Sequence, residues 1–202
     1  SEKLGKKRIE VKMSVLEGLN DAQLEAAQTV NGALLILAGA GSGKTRVLTR
    51  RIAYLIGELG IEPDRILAMT FTNKAAGEMR ARVEDLLKRS CRNMWIGTFH
   101  SLCARLLRSE AERVGLQQNF TIYDSTDQMA LMRRVLADEE LSEKQYPPRQ
   151  IRGRISREKN RMMDVTTFAQ RASTFYEQAV ARVYRHYQTR LRQNNAVDFD
   201  DL

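Results

Sequence analysis

Leu34-Leu35-Ile36-Leu37-Ala38-Gly39-Ala40-Gly41-Ser42-Gly43-Lys44-Thr45 is the stretch that decides the fold. A continuous apolar run bounded by glycine predicts a strand buried on both faces, as in a parallel sheet. A loop of small residues follows, and Gly-Lys-Thr opens a helix. Glycines in such a loop permit torsions that a side chain forbids. They also let successive N–H groups converge on one anion at the positive end of a helix dipole. Lys44 is placed to reach β- and γ-phosphates, and the Thr45 hydroxyl to hold Mg²⁺. The strict pattern carries glycine six places before the lysine; Ala38 stands there instead, so the loop is a variant. The plain alternative is a tight, glycine-rich turn without a ligand, which the order strand, loop, helix disfavours.

On either side of this stretch the chain reads as repeating β–α units. Before it, Leu19-Asn20-Asp21-Ala22-Gln23 opens a short helix with Asn20 or Asp21 as N-cap. After it, Val47, Leu48, Ile52, Leu55 and Ile56 keep a 3.6-residue period and predict a helix over 43–59. Residues 66–71 read as a second buried strand, and Thr72 or Asn73 caps a helix over 74–88. Residues 94–99 read as a third strand, followed by a helix over 101–114 and Gly115. Successive β–α units predict a parallel sheet with helices on both faces. Right-handed crossovers then gather the glycine-rich loop, the Thr70–Lys74 turn and the Gly97–His100 turn on one edge.

The pattern changes near Asp124. From there to Asn195 no strand-like run occurs. Asp124-Ser125-Thr126-Asp127 signals an N-cap, Pro147-Pro148 starts a second helix, and Asp164 a third. Residues 175–193 predict one long amphipathic helix with Phe175, Ala179, Val183, Tyr187 and Leu191 facing inward. The domain reading is a leader or tail over 1–13, an α/β core over 14–116, a helical insertion over 117–196, and a return to the core over 197–202.

Composition narrows the partners. The chain has 202 residues, 43% of them hydrophobic, which suits a globular protein with a sizeable core. No apolar run approaches the roughly 20 residues needed to span a bilayer, and no signal-peptide pattern is present. Cys91 and Cys103 sit in apolar-periodic contexts and read as buried thiols in a reducing compartment. A formal charge of +8 and a pI near 9.7 suit a phosphate polymer as partner.

Together these motifs are similar to the start of the UvrD/Rep/PcrA family of superfamily 1 DNA helicases, nearest its PcrA-type members. The resemblance is carried by Leu19-Asn20-x-x-Gln23, Ala38–Thr45, Thr70-Phe-Thr-Asn-Lys-Ala-Ala76, Gly97-Thr-Phe-His100, Arg171–Glu177 and Asp198-Phe-Asp-Asp-Leu202. It covers residues of about 14 to 202. It implies a P-loop RecA-like sheet, incomplete here, with an all-helical insertion. It also implies ATP and Mg²⁺ as cofactors, single-stranded DNA and a single-strand/duplex junction as partners, and 3′-to-5′ movement with duplex unwinding. A bacterial cytoplasmic, nucleoid-associated setting in repair or replication follows from the same likeness.

The resemblance also assigns roles. Gln23 carries a donor and an acceptor suited to the N6 and N7 edge of adenine, and the matching glutamine reads ATP; alone it would pass for an exposed helix residue. Ala38, Gly39, Ala40, Gly41, Ser42, Gly43, Lys44, Thr45 and Arg46 are the cofactor-binding set, with Lys44 and Thr45 catalytic and Thr45 the metal ligand. Phe71, Thr72, Asn73, Lys74, Thr98 and His100 are expected on the DNA track, Phe71 to stack a base or else to pack in the core. Arg149, Arg152, Arg154, Arg157, Lys159 and Arg161 form a basic run opposed mainly by Glu158. That run is either a solvated face or a DNA-backbone contact, with Arg149 and Arg152 the leading candidates. Asp198, Asp200 and Asp201 read as cap and surface residues rather than a metal cluster. The family's paired acidic residues and its arginines from a second core domain are not among these motifs, so one half of a nucleotide cleft is expected. The rival readings are a different P-loop enzyme such as a nucleotide kinase, a nonhydrolysing nucleic-acid-binding module, and a helicase–nuclease subunit.

Overall fold

A computed structural model describes residues 15–202; the expected leader over 1–13 lies outside them. The described residues divide into two compact units, one ending at Leu102 and the other spanning Cys103–Leu202.

In the first unit, helix α1 (Asp21–Gln28) precedes α2 (Lys44–Gly57). Strand β1 (Leu67–Thr70), helix α3 (Asn73–Leu87) and strand β2 (Trp95–Thr98) follow. Helix α4 (Phe99–Ser109) begins here and ends in the second unit. It stops short of the expected 114, and a 3₁₀ turn over Ala111–Val114 covers the remainder. β1 and β2 pair in parallel, with Leu67 opposite Trp95 and Thr70 opposite Thr98, as a β–α–β crossover requires. Ile52 and Ile56 of α2, Met79 and Val83 of α3, and Ile66, Met94 and Ile96 of the strand segments form the core.

Two expectations about strands are corrected. Leu34–Leu37 forms no ladder with either strand of this unit. Leu35 and Leu37 are 80% and 85% exposed. A strand exists only where a neighbouring backbone takes its hydrogen bonds, and β1 and β2 pair with each other alone among the described residues. β1 is also not buried on both faces. Ala68 and Thr70 are half-buried, whereas Leu67 and Met69 are exposed, because the layer formed by α2 and α3 covers one face.

The second unit holds α5 (Ser125–Asp138), α6 (Pro148–Asn160), α7 (Val165–Arg171) and α8 (Phe175–Gln193). Capping boxes start α5 at Asp124 and α8 at Thr174, and Asp164 caps α7. Pro148 opens α6 where its missing N–H costs nothing. The core joins Met132, Leu136, Ile151, Ile155, Phe168, Val183, Tyr187 and Leu191. Short strands β3 (Thr121–Tyr123) and β4 (Ala196–Asp198) flank the helices and pair in parallel. The inward stripe of α8 begins at Ala179, not Phe175, which is 91% exposed. At that first turn Tyr176, itself 39% exposed, stacks on Tyr146 with ring centroids 5.7 Å apart.

Candidate nucleotide and nucleic-acid sites

The glycine-rich loop enters α2 through Gly43, whose φ of +85° lies in the left-handed region. A Cβ there would also stand 3.0 Å from Gln23 Nε2, so both torsion and space favour glycine. α2 begins without a side-chain cap and without an acidic residue in its first turn. α1, α5 and α8 each begin in a capping box instead. The first-turn N–H groups of α2 and its dipole are therefore left for an external anion. Lys44 Nζ donates to the carbonyls of Ala38 at 2.8 Å and Gly39 at 2.5 Å, across the loop. Ser42 Oγ donates to the Gly39 carbonyl at 2.7 Å. Thr45 is exposed beside Lys44. Loop amides, an ammonium and a hydroxyl make a donor set that fits a magnesium–nucleotide polyphosphate.

Gln23 is brought to this loop. Of the two N-cap candidates the structure selects Asn20, which shares a capping box with Gln23. Gln23 Nε2 donates to the Ser42 carbonyl at 3.0 Å. Arg46, expected among the cofactor residues, lies against Gly18: a Cβ on Gly18 would meet its guanidinium at 2.6 Å. Sequence reasoning missed Arg51, which bonds the carbonyls of Ala26 and Thr29 at the end of α1. No local pattern separates it from other helix arginines.

A second group lies at the C-terminal ends of β1 and β2. Phe71 is 95% exposed, which removes the core-packing alternative. Thr72 caps α3 by accepting the Ala75 N–H at 3.1 Å, and Asn73 and Lys74 are exposed in the first turn. Thr98 Oγ1 lies 3.5 Å from Asn73 Oδ1 and 3.1 Å from Ser101 Oγ, so the two turns meet. Gly97 is required there, because a Cβ would stand 2.5 Å from Ser101 Oγ. His100 is exposed at the start of α4. Phe71, Thr72, Asn73, Lys74, Thr98 and His100 thus occupy one sheet edge, where polar groups of a kind that can contact phosphate stand beside an aromatic face.

In the second unit the basic run divides. Arg149 is exposed in the first turn of α6 and Arg152 is half-buried. Arg154 instead pairs with Glu158 at 2.7 Å and Glu177 at 3.5 Å. Lys159 is buried between Asp198 and Asp201, 2.8 Å from each. These two cations are engaged in ion pairs within the unit, so for them neither a solvated face nor a DNA-backbone contact holds. Asp198 is likewise a cap, as expected, but not a surface residue: it is 2% exposed. Burial pushes its carboxyl up against the opposing pull of Lys159. Burial also acts on Asp201, but the charge and hydrogen bond of Lys159 outweigh it and hold that carboxyl low. Among the described residues no three His, Cys, Asp or Glu side chains converge as metal ligands. Nor is any helix among them long and apolar enough to cross a membrane. Cys91 and Cys103 are free, the first buried and the second half-buried, and burial raises the Cys91 thiol.

Comparison with known proteins adds to this geometry. A family model described as the UvrD/REP helicase N-terminal domain matches residues 19–202. An ATP-dependent DNA helicase PcrA of Staphylococcus epidermidis is 49% identical over 94% of this chain and 26% of its own length. One from Bacillus subtilis is 48% identical over 93% of this chain and 25% of its own. One from Leuconostoc citreum is 50% identical over 94% and 25%. The chain spans about a quarter of the length of these relatives.

Proposed function

The chain belongs to the UvrD/REP helicase N-terminal family, and on that premise we propose that it forms the ATP-binding region of a helicase that moves 3′ to 5′ on single-stranded DNA and opens duplex at a junction. The observation that carries this reading is the meeting of two recognition elements. Gln23, suited to an adenine edge, bonds the carbonyl of Ser42, and Ser42 lies in the loop that ends at Lys44 and an uncapped helix start. Base reader and phosphate cradle adjoin, as an adenine nucleotide requires.

In the proposed site the main-chain amides of residues 39–44 and the first turn of α2 orient the phosphates. Lys44 exchanges the carbonyls of Ala38 and Gly39 for phosphate oxygens, so its charge moves from the loop to the nucleotide. Thr45 would hold magnesium through its hydroxyl, and the ion would supply charge neutralisation to the phosphates. The edge formed by Phe71–Lys74 and Thr98–His100 takes single-stranded DNA by phosphate contacts and base stacking, and Arg149 and Arg152 add backbone contacts from the helical unit. A RecA-like core over 14–116 and 197–202 with a helical insertion over 117–196 is the domain arrangement this reading uses. A bacterial cytoplasmic, nucleoid-associated role in repair or replication accords with it.

The hydrolysing half of the cleft is assigned to sequence outside these 202 residues, in keeping with the quarter-length match. The 202-residue chain alone therefore binds nucleotide weakly and does not turn it over. DNA-stimulated turnover by that chain, abolished by Lys44→Ala, overturns this assignment. Strand displacement on substrates with a 3′ or a 5′ single-stranded tail tests the full-length protein. ATP-dependent opening from the 3′ tail supports the proposal; phosphate transfer to a small nucleotide with no opening replaces it by a kinase.

A further inference from the structure

Both ends of the Gln23 amide are held by main-chain groups. Oε1 accepts the Asn20 N–H at 3.2 Å, and Nε2 donates to the Ser42 carbonyl at 3.0 Å. A backbone N–H can only donate and a carbonyl can only accept, so these partners dictate which way the amide faces. One valence then stays open on each atom: a lone pair on Oε1 and an N–H on Nε2. An acceptor beside a donor complements adenine, which offers N6–H and N7. Guanine offers O6 and N7, both acceptors, and leaves Oε1 facing an oxygen. A freely rotating glutamine has no such bias, because flipping the amide exchanges donor and acceptor.

The frame has a second anchor. Arg51 projects from α2, the helix that starts at the phosphate loop. It bonds the carbonyls of Ala26, at 2.8 Å, and Thr29. The last turn of α1 has no basic residue of its own, so Arg51 supplies the charge that its carbonyl end favours. The capping box meanwhile holds the Gln23 N–H against Asn20 Oδ1 at 2.9 Å. α1 is thus tied to the phosphate loop at its start and to the phosphate-loop helix at its end.

We propose that the Asn20 N–H, the Ser42 carbonyl and Arg51 together set the choice of adenine over guanine by fixing the Gln23 amide, with Arg51 a positioning residue that touches no nucleotide. This rests on Gln23 contacting the base.

The test compares kcat/KM for ATP and for GTP in the DNA-stimulated reaction of the full-length protein and its Asn20→Ala, Asn20→Pro, Arg51→Met and Arg51→Lys variants. The Asn20 φ of −78° admits proline. Alanine and proline both remove the side-chain cap, and only proline removes the N–H that orients Oε1. The ATP-to-GTP ratio of Asn20→Pro is expected to fall about three- to tenfold below that of Asn20→Ala. Arg51→Met is expected to lower the ratio mainly through KM for ATP, and Arg51→Lys to recover part of it. Equal ratios in the alanine and proline variants, or an unmoved ratio in Arg51→Met, overturn the proposal. The Asn20 pair decides it if Arg51→Met fails to fold. A wild-type protein that does not prefer ATP overturns the reading of Gln23 instead, so the two failures are distinguishable.

Discussion

Lys159 and Asp198 form a buried ion pair, with Nζ 2.8 Å from Oδ2 and both side chains at most 5% exposed. Asp201 accepts from the same ammonium at 2.8 Å, and Tyr187 donates its hydroxyl to Asp198 at 3.1 Å. The pair fastens α6 to β4 and to the turn that follows it within the same unit. Desolvating two charges is costly, and much of their value lies in what one becomes without the other. Lys159→Met is expected to lower the unfolding free energy by about 3–5 kcal/mol, since it strands the Asp198 carboxylate in the interior. Lys159→Met combined with Asp198→Asn is expected to lose markedly less in denaturant unfolding. A double variant as unstable as the single one contradicts this account.

Phe71 separates binding from stability. At 95% exposure it contributes nothing to the core, so Phe71→Ala is expected to change the unfolding free energy by no more than about 0.5 kcal/mol. Its single-stranded DNA affinity is expected to weaken by about 1–3 kcal/mol, the usual value of one stacked base. Fluorescence anisotropy with a labelled oligonucleotide measures the second, and thermal or denaturant unfolding the first. Unchanged affinity removes Phe71 from the DNA track.

The helical unit is expected to lose stability in acid. Backbone N–H groups at Thr167, and at Ser173 and Thr174, hold the carboxyls of Asp164 and Glu177 below their ordinary values. A carboxylate with a depressed folded pKa stabilises above its unfolded pKa, about 4 for these residues, and loses that contribution as pH falls through the folded value. Asp164→Asn keeps a good N-cap acceptor without the titration. It should match the wild type more closely at low pH than at neutral pH. Denaturant unfolding from pH 7 to 3 reads this, and an acid slope unaltered in the variant excludes Asp164 as a source.

What the sequence made legible was local. The helix over Lys44–Gly57 follows from its apolar period, and the caps at Asp124 and Asp164, with the choice between Asn20 and Asp21, follow from local residue types. The glycine-rich loop and the turns that follow β1 and β2 are short motifs, and their placement could be read the same way. The errors concern partners distant in sequence. Leu34–Leu37 has the composition of a buried strand, but burial depends on a neighbouring backbone that no local pattern supplies. Phe175 keeps the period of α8, yet its helix turn extends beyond the core. Lys159 looked like one of several surface cations because its partner Asp198 lies 39 residues away. Arg51 was hidden for the same reason, bonding Thr29 across 22 residues.

The central claim is that a nucleotide cradle ending in Lys44 and a DNA edge at the ends of β1 and β2 work in one enzyme. The most direct measurement is ATP hydrolysis by the full-length protein, with and without single-stranded DNA, for the wild type and Lys44→Ala. The account predicts turnover that DNA raises severalfold or more and that Lys44→Ala abolishes in a folded protein. Turnover indifferent to DNA, or undiminished without the Lys44 ammonium, contradicts it.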